Sequence, residues 1–231
     1  MEQSGNRTEE LATDVLSALT KSPEAGELVL GGYFALRRYV DYRTTHDLHA
    51  WWRTGRTEPT MTSVRRAMRE AAERHGLELS ERSWGETVSL ELVEEGRKIF
   101  SFQIAVRSVE LEPAAESPWP PLLVESLADT VGSKMNALVQ RGAPRDFLDI
   151  HEVVVRGVAS VQQCWDWWST KNPHIAVDLA RAQGLRHIEG IEARRPLESI
   201  ESGEEREAAR RAREWLRGTL LGVAPADPAA E

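Results

Sequence analysis

The stretch from Leu28 to Trp52, LVLGGYFALRRYVDYRTTHDLHAWW, concentrates residue types that can handle a charged ligand. Gly31 and Gly32 follow an apolar triplet. A glycine pair between a strand and a helix exposes main-chain N–H groups to a bulky anion, and the helix N-terminus favours negative charge. Asp47 stands on the next apolar stretch, two residues before His49. A carboxylate there is what a divalent ion needs if it is to bridge the protein and a triphosphate. Each residue also has a plainer role open to it. The glycines could simply end a strand, Asp47 could be a turn or capping carboxylate, and His49 could be a packed or surface histidine.

Other chemistries find less support. Gly132-Ser133-Lys134 has the tail of a phosphate-binding P-loop, but no glycine stands five residues earlier and no strand precedes it. There is no G-x-S-x-G or H-E-x-x-H pattern. His46 and His49 would make half a zinc site with no further partners in view. Cys164 is the only cysteine, which rules out an intrachain disulfide; set in VQQCWDWW, it reads as a buried thiol rather than a nucleophile.

The elements that must position these residues follow from periodicity. Leu11, Val15, Leu16 and Leu19 recur at helical spacing after Thr8, a predicted cap, until Ser22-Pro23. Leu28–Leu30 reads as a strand, 34–39 as a short helix and Asp47–Trp52 as a second strand. Residues 62–75 form an amphipathic helix ended by Gly76, with Arg65, Arg66 and Arg69 on its polar face, either solvated or facing phosphate. Residues 86–107 alternate in two arms around Glu94-Glu95-Gly96 and predict a hairpin. EPAAESPWPP, at 112–121, reads as an extended linker. Beyond it, helices are predicted over 126–141, 144–156, 161–171, 174–185 and 203–220, the second started by Pro144. Trp165, Trp167 and Trp168 are either bundle core or an aromatic ledge for a partner protein or a stacked base. The domains are thus 1–111, a linker at 112–121, a helical bundle at 122–221 and a disordered tail at 222–231.

A chain of 231 residues can bury a true core, roughly 70% of its unfolded surface. Its net charge of −8 argues against a protein coated for nucleic acid, yet residues 31–107 carry 13 basic and 11 acidic groups, so a nucleotide or RNA partner is permitted there. No apolar run approaches the ~20 residues that span a bilayer, and the N-terminus lacks a secretory core; a cytoplasmic protein with no membrane partner is expected.

The run Gly31-Gly32-Tyr33-Phe34-Ala35-Leu36, followed by Arg43-Thr44-Thr45-His46-Asp47-Leu48-His49, resembles the AbiEii/AbiGii nucleotidyltransferase toxins, which include the MenT toxins. SLADTVGSKMNALVQRGAPRDFLDI extends the likeness through Leu127, Asp129, Lys134, Arg141, Arg145-Asp146 and Asp149-Ile150, so that it covers roughly residues 25–155. The resemblance implies an α+β protein, a nucleotidyltransferase-like N-terminal mixed sheet with helices followed by a C-terminal helical bundle. It implies transfer of a nucleotide from an NTP, in several members to tRNA, in toxin-antitoxin or phage-defence settings. A cognate antitoxin or a defence-system subunit is the expected partner. Gly31, Gly32, Arg43 and Thr45 would then hold the triphosphate, Asp47 the metal, and Lys134 would neutralise phosphate charge. Asp146 or Asp149 would orient that lysine or assist deprotonation of the acceptor hydroxyl.

Two positions depart from the family pattern. His49 stands where the family has a second metal-binding aspartate, and Gln103 where many nucleotidyltransferases carry a third carboxylate. Both changes weaken a magnesium site, and manganese tolerates the histidine better. The rival expectation is therefore a catalytically inactive member that binds nucleotide, RNA or a protein partner.

Overall fold

Alternation along residues 47–52 and 87–106 builds the centre of a seven-stranded mixed sheet. The computed structural model describes residues 2–45, 47–107 and 109–222, with side chains from Arg7 onward. The chain forms two compact units, Met1–Thr130 and Val131–Glu231. The predicted tail beyond Gly222, and His46, lie outside the described residues.

In the first unit the elements are α1 (Glu2–Leu19), a 3-10 turn (Pro23–Glu27), β1 (Leu28–Gly31), α2 (Gly32–Leu36), β2 (Asp47–Trp52), α3 (Glu58–His75), β3 (Glu78–Trp84), β4 (Thr87–Glu94), β5 (Arg97–Val106), β6 (Ala115–Glu116) and β7 (Leu123–Val124). The strand order is β3-β4-β5-β2-β1-β7-β6. β1 runs antiparallel to β2, whereas β2 and β5 are parallel and β4 and β5 antiparallel.

Strand side chains alternate between faces, so half of each strand can be apolar at no cost to the other half. Leu28, Leu30, Leu48, Ala50, Trp52, Leu90, Leu92, Phe100, Phe102 and Ile104 form one buried cluster with Leu11, Val15 and Leu16 of α1 and Met61, Val64 and Met68 of α3. Each fully buried large side chain contributes about 1.5–3 kcal/mol. The opposite face consequently receives the polar residues of the same strands: Asp47, His49, Ser101, Gln103 and Ser89.

Several local predictions need correction. α1 begins at Glu2, so Thr8 is an interior helical residue, 1% exposed, rather than a cap. α2 starts directly at Gly32 and ends at Leu36. β3 was not read from the sequence because it is an edge strand whose mostly exposed side chains show no alternation. α3 follows its signals: the Thr57 hydroxyl accepts the Thr60 N–H, and Gly76 closes the helix at φ 64°. The proline-rich segment 112–121, read as a link, contributes β6 to the sheet edge, and the division between units falls after Thr130.

α4 (Leu127–Gln140) starts in the first unit and continues into the second, which also holds α5 (Pro144–Val155), α6 (Val161–Lys171), α7 (Val177–Arg194) and α8 (Gly203–Trp215), the last followed by a π-helical turn, Leu216–Leu220. Trp165 and Trp168 are 2% and 1% exposed and meet edge to face at 5.6 Å; the Trp165 indole donates to the Leu220 carbonyl at 2.9 Å. Of the two readings of the tryptophans, core holds for these two. α7 outruns its predicted end because Gly184, which interrupts the sequence pattern, is selected by packing: a Cβ there would lie 2.9 Å from Leu221. No helix among the described residues is long and apolar enough to cross a membrane.

Candidate active site

The register aligns the predicted ligand-handling residues in rows across the sheet. Gly31 pairs with His49, His49 with Gln103, and Gln103 with Ser89, making one row over β1, β2, β5 and β4. Two residues along, Asp47 pairs with Ser101 and Ser101 with Glu91. Asp47 and His49 therefore share the face opposite the apolar core, and Gln103 stands beside His49.

The glycine turn is shaped by what crowds it. Gly31 has an extended backbone, so its constraint is steric: a Cβ would lie 2.5 Å from Trp51 Nε1 and 2.7 Å from Glu125 Oε2. Gly32 lies at φ 64°, a left-handed conformation that side chains disfavour, and a Cβ there would come within 3.0 Å of the His49 ring. His49 is thus packed against the turn that the sequence suggests for phosphate.

Around Asp47 the polar contacts are close. The Ser101 hydroxyl donates to Oδ1 at 2.6 Å, and Lys98 Nζ stands 3.6 Å from the same oxygen. The Thr45 hydroxyl lies 3.3 Å from both the main-chain N–H and the carbonyl of Asp47, accepting from one and donating to the other. Arg43 lies with its guanidinium 3.9 Å from the ring centroid of buried Tyr33, a cation–π stack. The Tyr33 hydroxyl in turn accepts the N–H groups of Tyr42 and Arg43, at 3.0 and 2.9 Å, and donates to Asp41 at 3.3 Å. Tyr33 thereby fixes the segment that leads into Asp47.

In the second unit Lys134 Nζ lies 2.6 Å from Asp149 Oδ2, joining α4 to α5; the lysine side chain is 11% exposed and the carboxylate fully buried. Asp146 is engaged differently. It takes two hydrogen bonds from the Arg141 guanidinium, both 2.8 Å, and accepts the Ala143 N–H at 3.2 Å. That is the N3 half of a capping box; Ala143 has no side-chain acceptor for the other half. Of the two aspartates that sequence left open as partners of the lysine, Asp149 is the one in contact with it.

A second charged cluster, not foreseen as a unit, lies within the first compact unit. Arg107 Nη1 stands 3.8 Å from Glu125 and 3.6 Å from Asp129, both fully buried, and Asp129 accepts the N–H groups of Leu111 and Glu112. The N–H donors compensate the burial of Asp129, while Arg107 stands at ion-pair distance from both carboxylates. Two of the three arginines predicted on the polar face of α3 bind protein groups: Arg65 binds Glu81 and Glu58, and Arg66 binds Ser22. Cys164 is completely buried, and burial pushes its thiol up to about 12, well away from nucleophilic use.

Among the described residues no group of three or more His, Cys, Asp and Glu side chains is placed to hold a metal ion. Magnesium is commonly bound through one or two carboxylates together with substrate phosphates rather than in an all-protein cage. One carboxylate, Asp47, with an imidazole two residues away on the same face fits a cation that arrives on a nucleotide.

The residues that sequence reasoning missed are Tyr33, Lys98 and Ser101. Ser101 was accessible in principle, since the alternation of β5 places it beside Asp47 once the strands are paired. The family model for the nucleotidyl transferase AbiEii toxin of type IV toxin-antitoxin systems matches residues 14–217. No curated protein matches the chain.

Proposed function

Because the chain belongs to the AbiEii nucleotidyl transferase toxin family of type IV toxin-antitoxin systems, we propose that it transfers a nucleotide from a nucleoside triphosphate to tRNA or another RNA. The observation that carries this reading is Asp47, set on the polar face of the sheet beside His49, one row from the Gly31-Gly32 turn. Asp47 and His49 hold magnesium or manganese, with the imidazole favouring manganese. The cation, when bound, offsets charge on the triphosphate. Gly31, Gly32, Arg43 and Thr45 bind the triphosphate; in the second unit, taken by itself, Lys134 with Asp149 as its partner has the role of neutralising phosphate charge that the resemblance implies. In the transfer the acceptor hydroxyl gives up its proton to water and its oxygen bonds to the α-phosphorus, while the bond from the α-phosphorus to the bridging oxygen breaks and pyrophosphate leaves with the electron pair. A cognate antitoxin or a defence-system subunit restrains the activity, and the protein works in the cytoplasm.

A second reading is supported by His49 and Gln103, which stand side by side: the resemblance puts a second metal-binding aspartate at the first position, and many nucleotidyltransferases carry a third carboxylate at the second. On that reading the chain binds nucleotide, RNA or a protein partner without catalysis. Incubation with each labelled nucleoside triphosphate and total tRNA, in magnesium and in manganese, separates the two. Label on RNA that disappears with Asp47→Ala supports transfer; nucleotide or RNA binding without label under either metal supports the binding subunit.

A further inference from the structure

In a regular β5, Lys98 would share a face with Phe100 and point into the apolar core. It does not, because the pairing of β4 and β5 is irregular: Leu92 opposes Phe100, whereas the next residue, Val93, opposes Lys98. Ile99 is the extra residue of a β-bulge, and it packs against the core with Phe100. The bulge shifts the alternation by one and turns Lys98 to the polar face, where its ammonium stands 3.6 Å from Asp47 Oδ1. Bulges recur where a side chain is re-aimed beside a functional site.

The contact itself is loose. A separation of 3.6 Å exceeds a hydrogen bond, and the Lys98 side chain is 50% exposed, so the ion pair contributes little to stability. Asp47 has a closer partner in Ser101 at 2.6 Å. A long, flexible stem lets the ammonium move from the carboxylate to a neighbouring anion with little energetic cost, and a compact, strongly hydrated charge with three donors suits phosphate oxygens. The polar face has a charge deficit that such a group answers: His49 and Gln103 bring no carboxylate with which to recruit a second cation, while a triphosphate carries several negative charges.

Resting on the nucleotidyltransferase reading above, we infer that Lys98 is a polyphosphate-binding residue, aimed by the bulge at Ile99 and parked on Asp47 until the β- and γ-phosphates of a nucleotide arrive. In this role it supplies, from the protein itself, positive charge that a second carboxylate-held cation would otherwise bring.

The test is equilibrium binding to the full chain, in manganese, of the four nucleoside triphosphates, the matching monophosphates and inorganic pyrophosphate, for wild type, Lys98→Ala and Lys98→Arg. The expected result is that Lys98→Ala loses about tenfold or more in affinity for a triphosphate and for pyrophosphate, the usual scale for a charge-assisted hydrogen bond. Monophosphate affinity should change less than about twofold, and Lys98→Arg should recover most of the loss. Lys98 is half exposed, so both variants should melt close to wild type. Triphosphate affinity that is unchanged or higher in Lys98→Ala overturns the inference alone, since the ammonium would then only neutralise Asp47. A wild type that binds no triphosphate and transfers none overturns the inference and the proposed transferase together.

Discussion

Lys134 and Asp149 form a buried ion pair between α4 and α5, Nζ to Oδ2 at 2.6 Å, in which the carboxylate has no exposure at all. Removing one partner strands the other charge in a poorly solvated place. Asp149→Ala should therefore destabilise the protein by about 3–5 kcal/mol in urea unfolding. The paired change Lys134→Met with Asp149→Leu should recover much of that, because apolar residues of similar volume replace a buried pair at small cost. If the pair serves the transfer reaction, the double variant will be folded and inactive; a folded, active double variant would reduce the pair to scaffolding.

Gly31 and Gly32 should differ in their tolerance of a methyl group. At Gly32 the cost of alanine is the left-handed backbone, about 1–2 kcal/mol, plus a modest push on His49. At Gly31 a Cβ would overlap Trp51 and Glu125 at 2.5 and 2.7 Å, so Gly31→Ala should be the more damaging of the two in chemical denaturation. His49→Ala should lessen the effect of Gly32→Ala and leave that of Gly31→Ala unchanged; equal relief of both would contradict this geometry.

Tyr33→Phe keeps the ring under Arg43 but deletes the oxygen that accepts two N–H groups. A stability loss of about 1 kcal/mol is expected, with faster hydrogen exchange confined to the Tyr42 and Arg43 amides. Tyr33→Ala should cost more, since the buried ring goes too. Unchanged exchange at both amides in Tyr33→Phe would mean that the hydroxyl does not hold this segment.

Cys164 should resist alkylation by iodoacetamide in the native protein and react once urea unfolds it, because only the thiolate attacks and burial disfavours it. The linkage has a definite sign. The folded thiol titrates near 12 against an ordinary value of 9.0, so the folded state retains its proton longer. Its contribution to stability is complete below pH 9 and is lost as the pH rises from there through 12. Cys164→Ser would remove that thiol titration; an alkaline limb of the same steepness in the variant would assign it to other groups.

The sequence by itself carried the chemistry-bearing residue types and the elements whose signals are local. Helix α3 was legible because its cap, apolar spacing and terminal glycine act within a few residues of one another, and strands β2 and β5 because alternation is written into each strand. The family resemblance singles out Gly31, His49 and Gln103 one by one, and the row that joins them comes from strand register. What only the tertiary structure decided depends on pairings that no single segment encodes. Edge strand β3 has no buried side to imprint a pattern, and β6 and β7 are too short to show one. The bulge that turns Lys98 toward Asp47 is a mismatch between two strands. The choice of Asp149 rather than Asp146 as the partner of Lys134 depends on the arrangement of α4 against α5, while Arg141 and the Ala143 N–H claim Asp146. Residue type and periodicity are properties of a segment; register, packing and the pairing of buried charges are properties of segments brought together, and those set the geometry around Asp47 in the first unit and around Lys134 in the second.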